Sequence, residues 1–267
     1  MLATIFQPST FHKMKLYKYR DLRSAWNTLD IILNRRLYLA PLASLNDPME
    51  VKTVQAKTVM EASLREIEID YSKIPSESDL RLATELGLIE AGYDHGTLGD
   101  IVLSANTRYY SRICSLSANP RNITMWSHYA NGHQGICLEL EIAAAMPVRY
   151  YCSKKLELLF SREHIAQLLS RVNDKTNAVT LKLAYMTEKL QKLHRSKTDN
   201  WLYEQEWRIL RDERNRYYHL KDGEFLSKIL VGERISSLHY DILKKLSPSH
   251  VPVVKTMIID GEVREIS

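Results

Sequence analysis

The fold class follows from residues 112–141, RICSLSANPRNITMWSHYANGHQGICLELE. Both ends of this stretch alternate between apolar and polar side chains, which predicts strands over Arg112–Ser117 and Gly135–Glu141. Between them, the turn Asn119-Pro120 precedes a short helix or turn over Asn122–Ala130. Strands and helices do not alternate regularly along the chain, so the pattern favours an α+β fold over a doubly wound parallel sheet.

The same patterns predict further helices and strands on both sides of residues 112–141. Asp21 can cap a helix with one apolar face, and a second helix is predicted over Ile235–Leu246. Helical insertions are expected over about 50–110 and 162–195. The face of the first helix would consist of Leu22, Ala25, Trp26, Leu29, Ile32 and Leu33, and the further strands would be Lys15–Arg20, Leu37–Ala40, Val148–Cys152, Trp201–Leu210, Lys228–Val231, Val251–Ile259 and Val263–Ile266. We therefore expect one α+β domain over residues 1–267, with a mixed or antiparallel sheet.

Composition excludes several classes of protein. The chain has 267 residues, 45% of them hydrophobic, which is enough for a sizeable core. No stretch approaches the roughly 20 apolar residues of a membrane span, and residues 1–10 lack the pattern of a signal peptide. Cys114, Cys137 and Cys152 are widely spaced within apolar runs and are expected to be buried free thiols of a cytoplasmic protein. Without a Cys-x-x-Cys pair, no metal site is expected.

The charge of the chain is compatible with a nucleic-acid partner. Lys and Arg number 37 against 32 Asp and Glu, a formal net charge of +5. Two basic runs, Lys13–Arg20 and Lys189–Lys197, could contact nucleic acid or a phosphate, although such runs are usually solvated faces. Neither of the glycine-rich loops that commonly cradle nucleotide phosphates is present.

The segment Met125–Ala130 is unusually dense in aromatic and polar side chains. On a helical turn Trp126 and Tyr129 share a face and could form a stacking wall for an aromatic ligand. His128 beside them is a candidate general acid or base. The alternative is that Trp126 belongs to the core and His128 is a hydrogen-bonded polar neighbour.

The segment Trp201–Arg208 is the most informative for chemistry. If it is a strand, Glu204, Glu206 and Arg208 point to one face. Two carboxylates so close resist joint ionisation unless a cation such as Arg208 or Arg20 intervenes. Such a pair can orient a sugar hydroxyl and stabilise an oxocarbenium-like transition state. The alternative is a charged, solvent-facing strand edge.

A loop after the second predicted strand carries Asn46-Asp47-Pro48. Pro48 holds Asp47 extended, and either polar residue can close an Asx-turn on the local backbone. The structural interpretation is a turn, and the functional one is a pair of polar groups for a ligand.

These motifs together resemble a bacterial family, the domain of unknown function twenty-nine seventy-one. The resemblance runs from Leu16 to about Gly232 and brings no established activity with it. It rests on Tyr19-Arg20, Leu37-Tyr38-Leu39, Asn46-Asp47-Pro48, Cys114-Ser115-Leu116-Ser117, Met125–Ala130 with Gly135, Tyr203–Arg208 and Val231-Gly232.

A second resemblance concerns mechanism. An Arg on an early strand, Ser-x-Ser on a middle strand and Glu-x-Glu on a late strand resemble the Arg-Ser-Glu class of ADP-ribosyltransferases, which hold NAD in a cleft between two small sheets. The resemblance implies that Arg20 binds the NAD phosphates or ribose, and that Glu206 hydrogen-bonds the nicotinamide ribose. Glu204 would position the acceptor. The Trp-Ser-His-Tyr block and the long helical insertions depart from that class.

The two resemblances define a candidate site with NAD as substrate. Its catalytic residues would be Glu206, Glu204 and His128, and its cofactor-binding residues Tyr19, Arg20, Asn46, Asp47, Ser115, Ser117, Trp126, Tyr129 and Arg208. The expected function is an ADP-ribosyltransferase-like enzyme, acting as a bacterial toxin or phage-defence effector on a protein or nucleic-acid acceptor. The alternatives are a nucleic-acid-binding protein or nuclease, and a non-catalytic module that senses a small ligand. Because these motifs lie far apart yet are all polar or aromatic, we predict that one cleft is lined by Arg20, Asn46, Ser115, Trp126, His128, Glu204 and Glu206.

Overall fold

A computed structural model describes residues 13–23, 26–47, 112–155, 194–211 and 214–266. The insertion expected over about 50–110 lies outside the described residues, as does nearly all of that expected over about 162–195. The helices are α1 (Trp26–Asn34), α2 (Ile123–Tyr129) and α3 (Ser237–Leu246), with 3-10 turns at Leu42–Ser44 and Asp199–Glu204. The strands are β1 (Met14–Arg20), β2 (Arg36–Tyr38), β3 (Ala40–Pro41), β4 (Arg112–Ser117), β5 (Ile136–Ile142), β6 (Met146–Pro147), β7 (Arg149–Tyr151), β8 (Ser196–Thr198), β9 (Glu206–Arg211), β10 (Tyr217–His219), β11 (Phe225–Val231), β12 (Val253–Ile259) and β13 (Glu262–Ile266).

Nine of these strands form one curled sheet. Their order is β13-β12-β11-β5-β1-β4-β9-β6, with β3 pairing at the side of β4. Every neighbouring pair is antiparallel except β11 with β12, which is parallel. Two small sheets, β10 with β2 and β7 with β8, lie beside it. The expected α+β fold with a mixed, mainly antiparallel sheet is confirmed.

The large sheet parts in its middle, between β1 and β4. On one side β1 pairs with β5 along its whole length, from Met14 opposite Ile142 to Arg20 opposite Ile136. On the other side a single pair, Tyr17 opposite Ser117, joins β1 to β4. Strands that pair at one point diverge on either side of it, so side chains of β1 and β4 flank an opening rather than a continuous ladder.

Helices cover both faces of the sheet, and side chains of β5 point alternately into the two cores on these faces. Leu138 and Leu140 belong to the larger core, into which α1 and α3 bury Ile31 and Leu243. Cys137 points the other way, into a smaller core around Trp126 of α2. The alternation read from the sequence therefore identifies buried positions on two faces rather than one buried and one solvated face.

The face predicted for α1 is wrong in part. Its buried residues are Thr28, Ile31 and Ile32, whereas Trp26 is 81% exposed and Leu33 is 53% exposed. Apolar side chains lie on more than one side of this helix, so periodicity alone does not determine which side meets the sheet.

The structure bears on two sequence predictions, the burial of the cysteines and the lack of a membrane span. Cys114 and Cys137 are buried free thiols as expected, but Cys152 is exposed, because it follows the short strand β7 rather than lying within a covered one. Among the described residues, no helix is long and apolar enough to cross a membrane.

Candidate functional site

An open cleft lies where β1 and β4 part. Its cavity volume is about 180 Å³. Strand β1 forms one wall and β4 with β9 forms the other, while the loop around Asn46 and the end of α2 close it from the side.

The cleft brings most of the predicted site together. Residues predicted from motifs almost two hundred positions apart share its lining. They are Tyr19, Arg20, Asn46, Ser115, Ser117, Tyr129, Glu204, Glu206 and Arg208.

A buried cluster of two cations and two carboxylates forms the floor; we call Lys197, Glu204, Glu206 and Arg208 the ion cluster. Lys197 Nζ lies 2.6 Å from Glu204 Oε2 and 3.2 Å from Glu206 Oε2. Arg208 donates from Nε to Glu206 Oε1 at 2.8 Å and from Nη2 to Oε2 at 3.0 Å. All four residues are less than 5% exposed. Their formal charges cancel, which allows the cluster to be buried.

A break in the backbone places the two carboxylates on this cluster. Glu204 ends a 3-10 turn, Gln205 adopts the left-handed conformation with φ 44°, and only then does β9 begin at Glu206. The prediction of a strand from Trp201 is therefore wrong over its first half. Ser117 Oγ holds the turn by donating to the Glu204 carbonyl at 2.6 Å, and the Tyr150 hydroxyl accepts from the Glu206 amide at 2.7 Å.

The pKa values of the two carboxylates are shifted in opposite directions. Burial opposes ionisation of Glu206, but Arg208 and Lys197 outweigh it and lower its pKa from 4.5 to about 2. For Glu204, burial dominates over its contact with Lys197, and its pKa is raised. At neutral pH Glu206 is therefore a fixed anion at the cleft, and Glu204 is the group closer to taking up a proton.

A hydrogen-bonded chain leads from Glu204 to the loop that holds Asn46. Tyr129 donates to Glu204 Oε1 at 2.6 Å, and Asn46 Nδ2 donates to the Tyr129 hydroxyl at 3.0 Å. Burial, together with this carboxylate, raises the pKa of Tyr129, so its phenol stays protonated as a donor. The chain fixes the side wall of the cleft to the ion cluster.

The β1 wall carries two cations outside the ion cluster. Lys18 Nζ donates to the Ser115 carbonyl at 2.5 Å. Arg20 has two buried guanidinium nitrogens, Nε and Nη2, with no hydrogen-bond partner among the described residues. Burial lowers the pKa of both side chains. This wall is therefore suited to an anion.

Three of the predicted site residues lie outside the cleft lining. Trp126 is fully buried, and its indole N–H donates to the Pro120 carbonyl at 2.7 Å, so it is a core residue. His128 is exposed and lies beside Tyr203, because it occupies the outer side of α2. Asp47 is 2% exposed and does not line the cleft. Of the aromatic residues predicted on α2, Tyr129, at its last turn, lines the cleft.

Sequence reasoning missed Lys197 and Lys18. Both fell within the two basic runs, which indicated phosphate contact in general but no single residue. Lys18 could have been found by strand alternation, because it stands two positions before Arg20 on the same strand. Lys197 left no such signal, since its role depends on packing β8 against the start of β9.

Comparison with known proteins gives one family match, over part of the chain, and no activity. No curated protein and no solved structure matches the chain. Residues 125–209, from α2 to β9, match the model of a family described as protein of unknown function, DUF2971, which confirms the family resemblance predicted from the motifs over that part of the chain.

Proposed function

We propose that the cleft binds NAD and that the protein is an ADP-ribosyltransferase-like enzyme, with a toxin or defence effector as its biological role. The observation that carries the proposal is the adjacency of the three motif strands. Arg20 lies on β1, Ser115 and Ser117 on β4, and Glu206 on β9, and these strands are neighbours in the sheet. The sheet parts between the first two, which gives the cleft two walls.

Each wall supplies a function that the transfer needs. Arg20 would contact the phosphates of NAD, since two of its guanidinium nitrogens have no partner within the part of the chain that the structure describes. Glu206 offers a carboxylate that is ionised at neutral pH, and the Ser115 hydroxyl hydrogen-bonds it. As the bond between nicotinamide and ribose breaks, positive charge develops on the sugar, and a fixed anion stabilises that charge. Tyr129 stands where a nicotinamide ring could stack.

Glu204 supports a separate role towards the acceptor. Its raised pKa makes it the better proton acceptor of the two carboxylates. It would accept a proton from the incoming nucleophile after Glu206 has helped to open the glycosidic bond. Nicotinamide leaves with the electron pair of the glycosidic bond when that bond breaks, and the acceptor atom then joins C1 of the ribose as its proton passes to Glu204.

One observation favours a second candidate, a binding module without catalysis. Arg208 and Lys197 already hold both oxygens of Glu206. Two cations so close diminish the field that this carboxylate can exert on a sugar. The same cleft would then sense a nucleotide without cleaving it.

Replacement of Glu206 by Gln separates the candidates. The substitution keeps the size of the side chain and removes its charge, so it should act mostly in the transition state. We expect NAD consumption by the purified protein to fall by about 10²-fold or more, while NAD binding by calorimetry changes little. Glu204→Gln should reduce transfer to an acceptor more than hydrolysis of NAD.

The matched control is Glu139→Gln, a buried carboxylate on β5 that does not line the cleft. Because Glu206→Gln also takes a counter-charge from Arg208, the unfolding temperature of each variant is measured beside its activity. A wild-type protein that binds NAD without consuming it supports the sensing module. A protein that neither binds nor consumes NAD with any acceptor contradicts the transferase proposal.

A further inference from the structure

Two arginines of the cleft, Arg208 and Arg20, differ in what contacts one edge of the guanidinium, the edge formed by Nε and Nη2. Arg208 uses Nε and Nη2 to grip both oxygens of the Glu206 carboxylate. Arg20 has the same two atoms buried and without a partner among the described residues. This edge of a guanidinium matches two oxygens of one phosphate or carboxylate. Arg20 also lines the cleft, and among the described residues this edge lacks the partner that Glu206 gives to Arg208.

Lys18 places a second positive charge beside that edge. Residues two apart on a strand point to the same side, about 7 Å apart, and both Lys18 and Arg20 line the cleft. The ammonium of Lys18 donates to the Ser115 carbonyl, a neutral acceptor, which leaves further donor capacity. Among the described residues, no salt bridge compensates either charge. The ion cluster is neutral by itself, so these two cations are the excess charge of the cleft.

We infer that Lys18 and Arg20 form a subsite for a diphosphate, and that Lys18 is a ligand-binding residue of the cleft. A carboxylate would fill the edge of Arg20 and leave Lys18 uncompensated, whereas a diphosphate presents two adjacent charged groups to two adjacent cations. The inference rests on the proposed function in taking this cleft as the ligand site, and it adds Lys18 to the phosphate contact proposed there for Arg20.

The energetics of burial agree with this assignment. A buried cation without a counter-ion destabilises a fold, and a bound anion would provide the missing charge. The lowered pKa of Lys18 and of Arg20 reflects that unfavourable environment. Removal of Lys18 should therefore not destabilise the protein without ligand, whereas removal of a lysine with a structural role would destabilise it.

The test compares ligands that differ in charge. Binding of ADP-ribose, inorganic pyrophosphate, AMP and adenosine to the full chain is measured by calorimetry. We expect ADP-ribose to bind most tightly, and Lys18→Met and Arg20→Lys each to weaken it by about tenfold or more, the effect of one lost charge-assisted contact. Adenosine should bind wild type and Lys18→Met alike. Pyrophosphate that binds as tightly as ADP-ribose would identify the free anion as the ligand, again through Lys18 and Arg20.

Lys15→Met is the matched control, since Lys15 stands on the same strand, pairs with Glu139 and does not line the cleft. It should bind ADP-ribose as wild type does. Without ligand, Lys18→Met should unfold at the same temperature as wild type or higher, and Lys18→Arg should restore binding. Equal affinity of wild type and Lys18→Met for ADP-ribose overturns the inference, as does a wild type that binds adenosine as tightly as ADP-ribose.

Assays of NAD consumption on the same samples keep the two proposals apart. ADP-ribose binding that depends on Lys18, in a protein that does not consume NAD, supports the diphosphate subsite and contradicts the transferase. NAD consumption with an unchanged KM in Lys18→Met supports the transferase and contradicts the subsite.

Discussion

At the scale of single residues, the ion cluster shows how a carboxylate stays ionised without water. Glu206 is 4% exposed, and burial alone would raise its pKa. Arg208 and Lys197 reverse that effect because they lie within hydrogen-bonding distance of both its oxygens. The same arrangement makes each member dependent on the others, since removal of one partner leaves a buried charge uncompensated.

Replacement of Arg208 by Met tests that dependence. We expect the free energy of unfolding near neutral pH to fall by about 3–5 kcal/mol, the range for breaking a buried ion pair. The pKa of Glu206 is depressed to about 2 from 4.5, so the stability it contributes is complete above 4.5 and is lost as the pH falls towards 2. The difference between wild type and variant should therefore narrow over that window, as measured by urea unfolding at a series of pH values.

Arg36→Met provides the comparison, because Arg36 pairs with Asp30 at a more exposed site on α1. There we expect a loss of about 1 kcal/mol or less. A difference for Arg208→Met that stays constant down to the lowest pH would show that Arg208 acts through packing rather than through the charge of Glu206.

The sequence predicted which polar side chains of the strands lie together in one cleft better than which side chains of α2 join them. Polar motifs placed Arg20, Ser115, Glu204 and Glu206 in one cleft, because side chains that do not fit a core or a turn are candidates for a site. The direction of a side chain on α2 was not predictable in the same way. Trp126 is fully buried in the smaller core, whereas Tyr129 packs only partly against it and donates from its hydroxyl to Glu204 in the cleft.

At the scale of elements, Gly135 controls the position of the end of β1. A Cβ at this residue would lie 2.2 Å from the Arg20 carbonyl oxygen and 2.9 Å from that of Ala130. Glycine is needed here because three backbone segments approach closely: the end of β1, the end of α2 and the start of β5. The turn after α2 holds Arg20 in place only because no side chain intervenes.

Gly135→Ala should displace the end of β1 and with it the guanidinium of Arg20. We expect a loss of about 1–3 kcal/mol in the free energy of unfolding, typical of a forced overlap, and weaker binding of ADP-ribose. Gly132→Ala is the control, because Gly132 has φ 59° but no atom near its would-be Cβ. That variant should lose about 1 kcal/mol from backbone strain and keep its affinity. Unchanged affinity in Gly135→Ala would mean that Arg20 does not depend on this approach.

Elements with regular alternation were predicted closely, and the exceptions have identifiable causes. Strand β4 matches its predicted bounds, Arg112–Ser117. The segment before β9 does not, because Gln205 takes a left-handed conformation that no local pattern announces. A non-glycine residue is rarely found there, so the turn is imposed by the contacts of Glu204 and Ser117 rather than by local preference. Tertiary contacts of this kind are invisible to periodicity.

At the scale of the whole molecule, the order of strands converts separated motifs into one site. Strands β1, β4 and β9 are distant in sequence and adjacent in space, with their partners β5 and β6 on the outside. Alternation identifies each strand, but sheet order depends on which apolar faces meet across long connections. The two-walled cleft therefore could be expected only through the resemblance to a class of enzymes, and not from the strand patterns.

The distribution of charge also bears on nucleic acid as an alternative partner. The net charge of +5 is modest, and several cations of the basic runs are paired, buried or turned towards the cleft rather than spread over an open surface. Lys15 pairs with Glu139, Lys197 is buried in the ion cluster, and Lys18 and Arg20 face the cleft. A nucleic-acid backbone gains affinity from many exposed cations along a surface, and each neutralised phosphate contributes to the dependence on salt.

We therefore expect DNA and RNA to bind weakly and to be released by moderate salt, while ADP-ribose stays bound. A protein with six to ten phosphate contacts loses about 10³–10⁵ in affinity between about 50 and 200 mM salt, whereas two cations in a cleft should lose far less. Fluorescence polarisation with labelled single- and double-stranded oligonucleotides, run beside ADP-ribose calorimetry at both salt concentrations, measures this contrast. Lys15→Met removes an exposed cation and should lower only the residual oligonucleotide binding. Tight oligonucleotide binding that falls steeply with salt, and that ADP-ribose does not displace, would instead assign the protein to nucleic acid, because its dominant contacts would then lie on the open surface and not in the cleft.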